Sequence, residues 1–143
     1  MSDKFFVDTN ILIYAHDRSA GQKHADAVAL IEELWESGRG VLSMQVLQEF
    51  CVNMQRRVSP PLPQAELKNL IEDYEAWEVV TPTVNSVLQA LDLQTRYRIS
   101  FWDALIIQAA ESAGASTLYS EDLAHNQLYG IVRVSNPFAT SAI

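Results

Sequence analysis

The sequence predicts an α/β fold, a three-layer α/β/α sandwich around a short-stranded, mainly parallel sheet. Short apolar runs rich in β-formers alternate along the chain with helix-length amphipathic stretches, the pattern that right-handed β-α-β crossovers leave in a sequence. The 143 residues carry no internal repeat or low-complexity tract and amount to about one domain, read here as a single unit over 1–143. With 48% hydrophobic and 20% charged residues, the composition is that of a globular protein. A chain of this length buries roughly 68–70% of its extended surface, enough for a core without staples.

The elements follow in order. Phe5-Phe6-Val7 is a buried strand that stops at Asp8-Thr9-Asn10. A short helix runs from Asn10 through Ala15, and a longer one from Gln22 to Ser37, with Val28, Ile31, Leu34 and Trp35 on one face and Gly38 and Gly40 ending it. Val41-Leu42-Ser43 is a second strand, after which Ser43 caps a helix from Met44 to about Arg57 with the stripe Val46, Leu47, Phe50, Cys51 and Met54. Ser59-Pro60-Pro61-Leu62-Pro63 interrupts the chain, and a further helix starts near Pro63 or Gln64 and runs to about Trp77. Glu78 to Thr81 is a third strand, Thr83 or Asn85 starts a helix through about Tyr97, and Ser100 caps the nearly all-apolar helix Phe101 to Ser112. Ser116 to Ser120 and Ile131 to Val134 are the last strands, joined by a loop or helical turn over Glu121 to Gly130.

Several function classes drop out. Ten Lys and Arg against 18 Asp and Glu leave a net charge of −8, which argues against a general nucleic-acid coat, whose affinity comes from clustered cations. Cys51 is the single cysteine, so no internal disulfide or cysteine-based zinc site forms, and a reducing compartment is expected. No apolar run reaches a membrane-spanning length and MSDKFFVDTN is not a leader, so a cytoplasmic location without a membrane partner is expected. His16, His24 and His125 lie in different elements, Ser120 lacks a nucleophile elbow, and neither glycine-rich phosphate loop occurs.

The acids are placed more tellingly. Asp8 closes the first strand, Glu49 lies in the helix that leaves the second, Asp103 opens the last helix, and Asp122 follows the strand ending at Ser120. In an open parallel sheet ligands bind outside the carboxyl ends of the strands, and all four acids belong to that edge. Carboxylates gathered there repel one another and require a compensating partner, for which a hard divalent cation, Mg²⁺ or Mn²⁺, is suited. Each acid also has a structural reading. Asp103 stands at capping-box spacing from Ser100, Asp8 or Asn10 suits an Asx turn, and Glu121 with Asp122 suits a helix N-terminus. Glu49 falls about 140° from the centre of its helix's apolar stripe, as a solvated residue does.

Taken together, Val7-Asp8-Thr9-Asn10, Gln48-Glu49-Phe50, Trp102-Asp103-Ala104-Leu105-Ile106, Ser120-Glu121-Asp122-Leu123 and Asn136-Pro137-Phe138 resemble, in order, the motifs of PIN-domain nucleases. Their closest likeness is to VapC-type toxins of toxin–antitoxin pairs. The resemblance implies a Mg²⁺-dependent endoribonuclease, with Mn²⁺ able to substitute, that leaves 5′ phosphate and 3′ hydroxyl ends. It makes Asp8, Glu49, Asp103 and Asp122 the catalytic and metal-site acids, directly or through water, with Asn10 and Ser120 as supporting polar groups. Glu121 leaves the last acid ambiguous by one position, and Asp122 is preferred because it immediately precedes the hydrophobic Leu123. The implied partners are an RNA substrate, a cognate antitoxin and a second copy of the chain. Met44 to Trp77 offers apolar helix faces for antitoxin or dimer contact as well as for core packing, and Lys23, Arg56, Arg57, Arg96 and Arg98 are the cations available to RNA or to solvent. A non-catalytic PIN-like binding module and a PIN nuclease of RNA maintenance are the alternatives.

Overall fold

The computed structural model describes residues 3–139. Along the chain run β1 (Phe5–Val7), α1 (Thr9–His16), a 3-10 turn at Arg18–Ala20, α2 (Gln22–Ser37), β2 (Gly40–Ser43), α3 (Met44–Arg56) and α4 (Gln64–Tyr74). There follow β3 (Glu78–Val80), α5 (Val84–Tyr97), α6 (Phe101–Ser112), β4 (Thr117–Tyr119), β5 (Leu128–Tyr129) and β6 (Val132–Ser135). The strands form one sheet in the order β3-β2-β1-β4-β6-β5, parallel throughout except for the β5–β6 pair.

This order fixes where the helices lie. The chain steps from β1 to β2 to β3 in one direction and then returns past β1 to β4. Right-handed crossovers therefore put α1 to α4 on one face and α5 with α6 on the other. Accordingly α1 packs on α2 and α3, α3 on α4, and α5 on α6. The reversal falls between β1 and β4, so the carboxyl ends of those two strands flank the crevice where open α/β sheets bind ligands.

Local sequence sets the helix ends. Ser43 accepts from the Val46 amide at 3.3 Å, Ser100 from the Asp103 amide at 3.1 Å, and Thr83 with Ser86 closes a full capping box at the start of α5. The α2 helix stops at Gly38, whose φ of 68° is a left-handed conformation that glycine adopts without cost. The core joins Phe6 and Val7 of β1, Val41 and Leu42 of β2 and Leu118 of β4 to Ile11, Leu12, Phe50, Met54 and Ile107 from the helices. At Gly40 a Cβ would stand 2.4 Å from the Trp77 ring, so only glycine lets that indole lie flat against β2.

The structure departs from the sequence reading in a few places. The first helix starts at Thr9 because Asp8 caps it. The α4 helix ends at Tyr74, leaving Trp77 in a turn against Gly40. Trp35, expected on the buried face of α2, is 40% exposed; its ring stacks on Tyr74 at 5.5 Å and edges onto Trp77 at 5.4 Å. Strand β5 lies within the segment read as a loop. Among the described residues no helix is long and apolar enough to cross a membrane.

Candidate metal centre at the carboxyl edge of the sheet

Asp8 stands at the middle of that edge, directly after the central strand, and is 5% exposed. One of its oxygens accepts from the Thr9 amide at 2.7 Å, which starts α1, and the other accepts from Ser120 Oγ at 2.8 Å. Burial pushes its carboxyl up to about pH 7; the Ser120 and Thr9 bonds pull it down, and the charges of Asp122 and Glu49 push it up again. Those two charges therefore act on Asp8.

The other acids reach the edge by different routes. Thr9 Oγ1 donates to Glu49 Oε1 at 2.8 Å, which turns Glu49 inward from the solvated side of α3 where periodicity alone placed it. Gln45, one helical turn earlier, donates weakly to the same oxygen at 3.5 Å and to the Trp102 carbonyl at 3.4 Å, tying α3 to the start of α6. Ser120 is fully buried, and its hydroxyl oxygen accepts from the Asp122 and Leu123 amides at 3.2 and 3.4 Å while its proton goes to Asp8. One hydroxyl thus fixes Asp8 and the backbone that carries Asp122.

Asp103 is at the margin. Only half of its capping box forms, through the amide, which leaves the carboxylate unused by the cap. Burial raises the Tyr129 hydroxyl and the Asp103 charge raises it further, whereas the charges that act on Asp8 are those of Asp122 and Glu49. Asp8, Glu49 and Asp122 thus form one electrostatic group, with Asp103 joined to it through Gln45 and the Trp102 carbonyl.

Glu121, the neighbouring acid, is engaged elsewhere in the fold. The carboxylate accepts from Tyr14 OH at 2.8 Å and pairs with Lys23, whose ammonium lies 5.1 Å from the Tyr14 ring centroid and 5.5 Å from that of Phe138. Glu121 is neutralised in a brace between α1, α2 and the C-terminal turn, and Lys23, expected among the cations free for RNA or solvent, is committed there too. Asn10 Oδ1 takes the Glu121 amide at 3.4 Å, while its buried Nδ2 finds no acceptor, an unmet donor beside the acids. Sequence reasoning assigned no role at the edge to Thr9, Gln45 or Tyr14, and gave Lys23 a different one. The four-residue spacing of Gln45 and Glu49 was a signal for the second of these.

The donor set suits a hard divalent cation. Among the described residues no Lys or Arg pairs with Asp8, Glu49 or Asp122, and their oxygens are the ligands Mg²⁺ prefers. Also among the described residues, no three acids or other ligating side chains converge closely enough to clasp an ion directly. That spread fits an ion that keeps several waters and takes one or two carboxylates, as Mg²⁺ does.

An α/β/α sandwich that gathers carboxylates at the switch point of a parallel sheet defines a class of acid-edged α/β proteins. Within that class the chain belongs to the PIN domain family, which residues 5–131 match. No curated protein sequence matches it. Among solved structures it is similar to VapC20 of Mycobacterium tuberculosis, described as a Sarcin-Ricin loop cleaving toxin, with a TM-score of 0.65 and 23% identity over 83% of this chain and 90% of that one. A toxin–antitoxin complex from Klebsiella pneumoniae gives 0.69 and 18% over 97% and 100% of the two chains. DNA-bound VapBC from Salmonella typhimurium gives 0.66 and 15% over 95% and 99%. At these identities the likeness is one of fold.

Proposed function

We propose that the chain is a Mg²⁺- or Mn²⁺-dependent endoribonuclease, the toxin of a type II toxin–antitoxin pair, that hydrolyses RNA phosphodiester bonds. The observation that carries this reading is Asp8, a buried carboxylate at the switch point that feels two further carboxylates and has, among the described residues, no cationic side chain paired with them. Asp8, Glu49, Asp103 and Asp122 are the groups that would hold the ion, one or two of them directly and the others through water. When bound, a divalent cation supplies acidification of water and neutralisation of charge on the phosphate and the leaving 3′ oxygen. The chain's own residues set the stage: Ser120 and the Thr9 amide orient Asp8, and Thr9 Oγ1 with Gln45 orients Glu49. The products are 5′ phosphate and 3′ hydroxyl ends. With a net charge of −8, the protein's long-range field repels RNA, which makes local charge compensation at the edge the more necessary.

A cognate antitoxin, a homodimer and a cytoplasmic location belong to the same proposal. The similar solved structures include toxin–antitoxin complexes, which supports an antitoxin partner. Two clefts of about 420 and 320 Å³ meet at Cys51 and Ile71 between α3 and α4, within the segment the sequence offered for such contacts. The spacing of the acids favours a second reading, a non-catalytic PIN-like binding module, because they do not converge into a tight cage. Cleavage of pooled, end-labelled RNA by antitoxin-free protein in Mn²⁺, beside Asp103→Asn prepared identically, decides between them. Cleavage that disappears in the variant supports the nuclease. A folded wild-type protein that is silent with every divalent ion supports the binding module.

A further inference from the structure

Trp102 is the second residue of α6, immediately before Asp103, and is 63% exposed. A ring of this size costs solvation in water and gains contact area when covered by another flat group. Beside it a pocket of about 150 Å³ opens between α3 and α6, with Gln45, Gln48, Leu105 and Gln108 among its walls. Ser43, the last residue of β2, and Val80, the last of β3, also line it, so the pocket lies on the same carboxyl edge as Asp8. Gln45 is common to pocket and acids, since its amide reaches both Glu49 Oε1 and the Trp102 carbonyl.

From this arrangement we infer that the pocket takes one unstacked base of an RNA strand whose backbone lies at the acids, with Trp102 as the stacking surface. The inference rests on the nuclease reading and names the part of the substrate that the acids do not touch. A base has a flat π-face and an edge of hydrogen-bond donors and acceptors; the walls answer with an indole and aliphatic side chains, and with the carboxamides of Gln45, Gln48 and Gln108 as their polar groups. Among the described residues no Lys or Arg lines the pocket, which suits a base and not a phosphate. Gln108, 5% exposed, is held by its bond to Gln89 Oε1 at 3.0 Å, so its amide is fixed before a ligand arrives. A protein partner fits the neighbouring surface better: Val84, Val87, Leu88 and Leu91 of α5 are exposed apolar side chains on one helix.

The test uses the full chain carrying Asp103→Asn, the cleavage-silent variant that keeps Asp8, in Mn²⁺. Single-stranded oligoribonucleotides of mixed sequence are titrated in, and the Trp102 signal is the emission that Asp103→Asn/Trp102→Phe lacks. RNA is expected to quench that component, and an abasic strand of equal length to leave it unchanged. Replacement by alanine should weaken binding, followed by anisotropy, roughly tenfold or more, and phenylalanine should retain most of it. Equal quenching by the abasic strand, or RNA binding that leaves the signal untouched, overturns the inference. So does Trp102→Ala that shifts the oligomeric state in gel filtration yet binds RNA normally, which would make the ring a contact between copies of the chain. An RNA that fails to bind at all overturns it as well. The underlying reading fails separately: wild-type protein that quenches with RNA but cuts none in any divalent ion retains the base pocket and loses the nuclease.

Discussion

Asp8→Asn should make the metal-free protein more stable at alkaline pH while abolishing cleavage. The wild-type carboxyl is raised from 3.8 to about 7 by folding, a shift of about 3 units, which corresponds to about 4 kcal/mol. For a raised acid the sign is fixed: stability is full below the unfolded value and is lost as pH climbs through about 7. Asparagine removes that ionisation and keeps a carbonyl for the Thr9 amide. Its NH₂ faces Ser120, whose hydroxyl must then stop donating, at a cost of about 1 kcal/mol. The variant should therefore exceed wild type by about 3 kcal/mol at pH 8, and the advantage should shrink by a similar amount at pH 5. Urea denaturation in EDTA at both values measures this directly. A difference that does not change with pH, or a variant less stable at both, would refute the electrostatic account of the edge.

Three further outcomes follow from neighbouring geometry. Ser120→Ala removes the hydroxyl shared by Asp8, Asp122 and Leu123, and should cost about 1–3 kcal/mol in the same denaturation experiment. His16, packed edge-on against Phe50 and Tyr74, is lowered to about 4 by burial and then by His24. Folded His16 refuses the proton that the unfolded chain accepts, so about 3 kcal/mol is lost as pH falls from 6.5 to 4. An imidazole NMR titration with a midpoint above 6 would contradict this. Mn²⁺ at a hundredfold excess over its Kd should stabilise wild type by about 2.7 kcal/mol, seen as a raised thermal midpoint, and Asp8→Asn should lose that response. A flat midpoint in wild type would count against a metal site.

The sheet was legible in the sequence because its strands are short β-rich runs between well-marked helix caps. Ser43 and Ser100 each cap the helix expected of them, and of the two starts offered for α5, Thr83 is the cap. Strand β5 was not legible: two residues pair with β6 only after the chain has turned at Gly130, so no local period announces them. The α2 face was misjudged at Trp35, which the helical period assigns to the core but which lies 40% exposed, its ring covered only in part by Tyr74 and Trp77, distant in sequence. Of the acids, Asp8 was the most readable, since an apolar strand that ends in a carboxylate carries it to the sheet edge. Periodicity pointed Glu49 to solvent; a hydroxyl 40 positions away turns it inward, and no helical wheel contains that residue. Glu121 and Asp122 are alike on paper and were divided only by Tyr14 and Lys23, which take one and leave the other.

The outer strands of the sheet bear on how other proteins can approach it. One rim is β3, three residues long, and the opposite rim is β5, only two. An incoming chain that adds itself as a further strand needs a run of free backbone amides and carbonyls to copy, and neither rim offers one. Such short borders protect the molecule against edge-to-edge aggregation, and they direct any protein that grips it to the surfaces of its helices and loops.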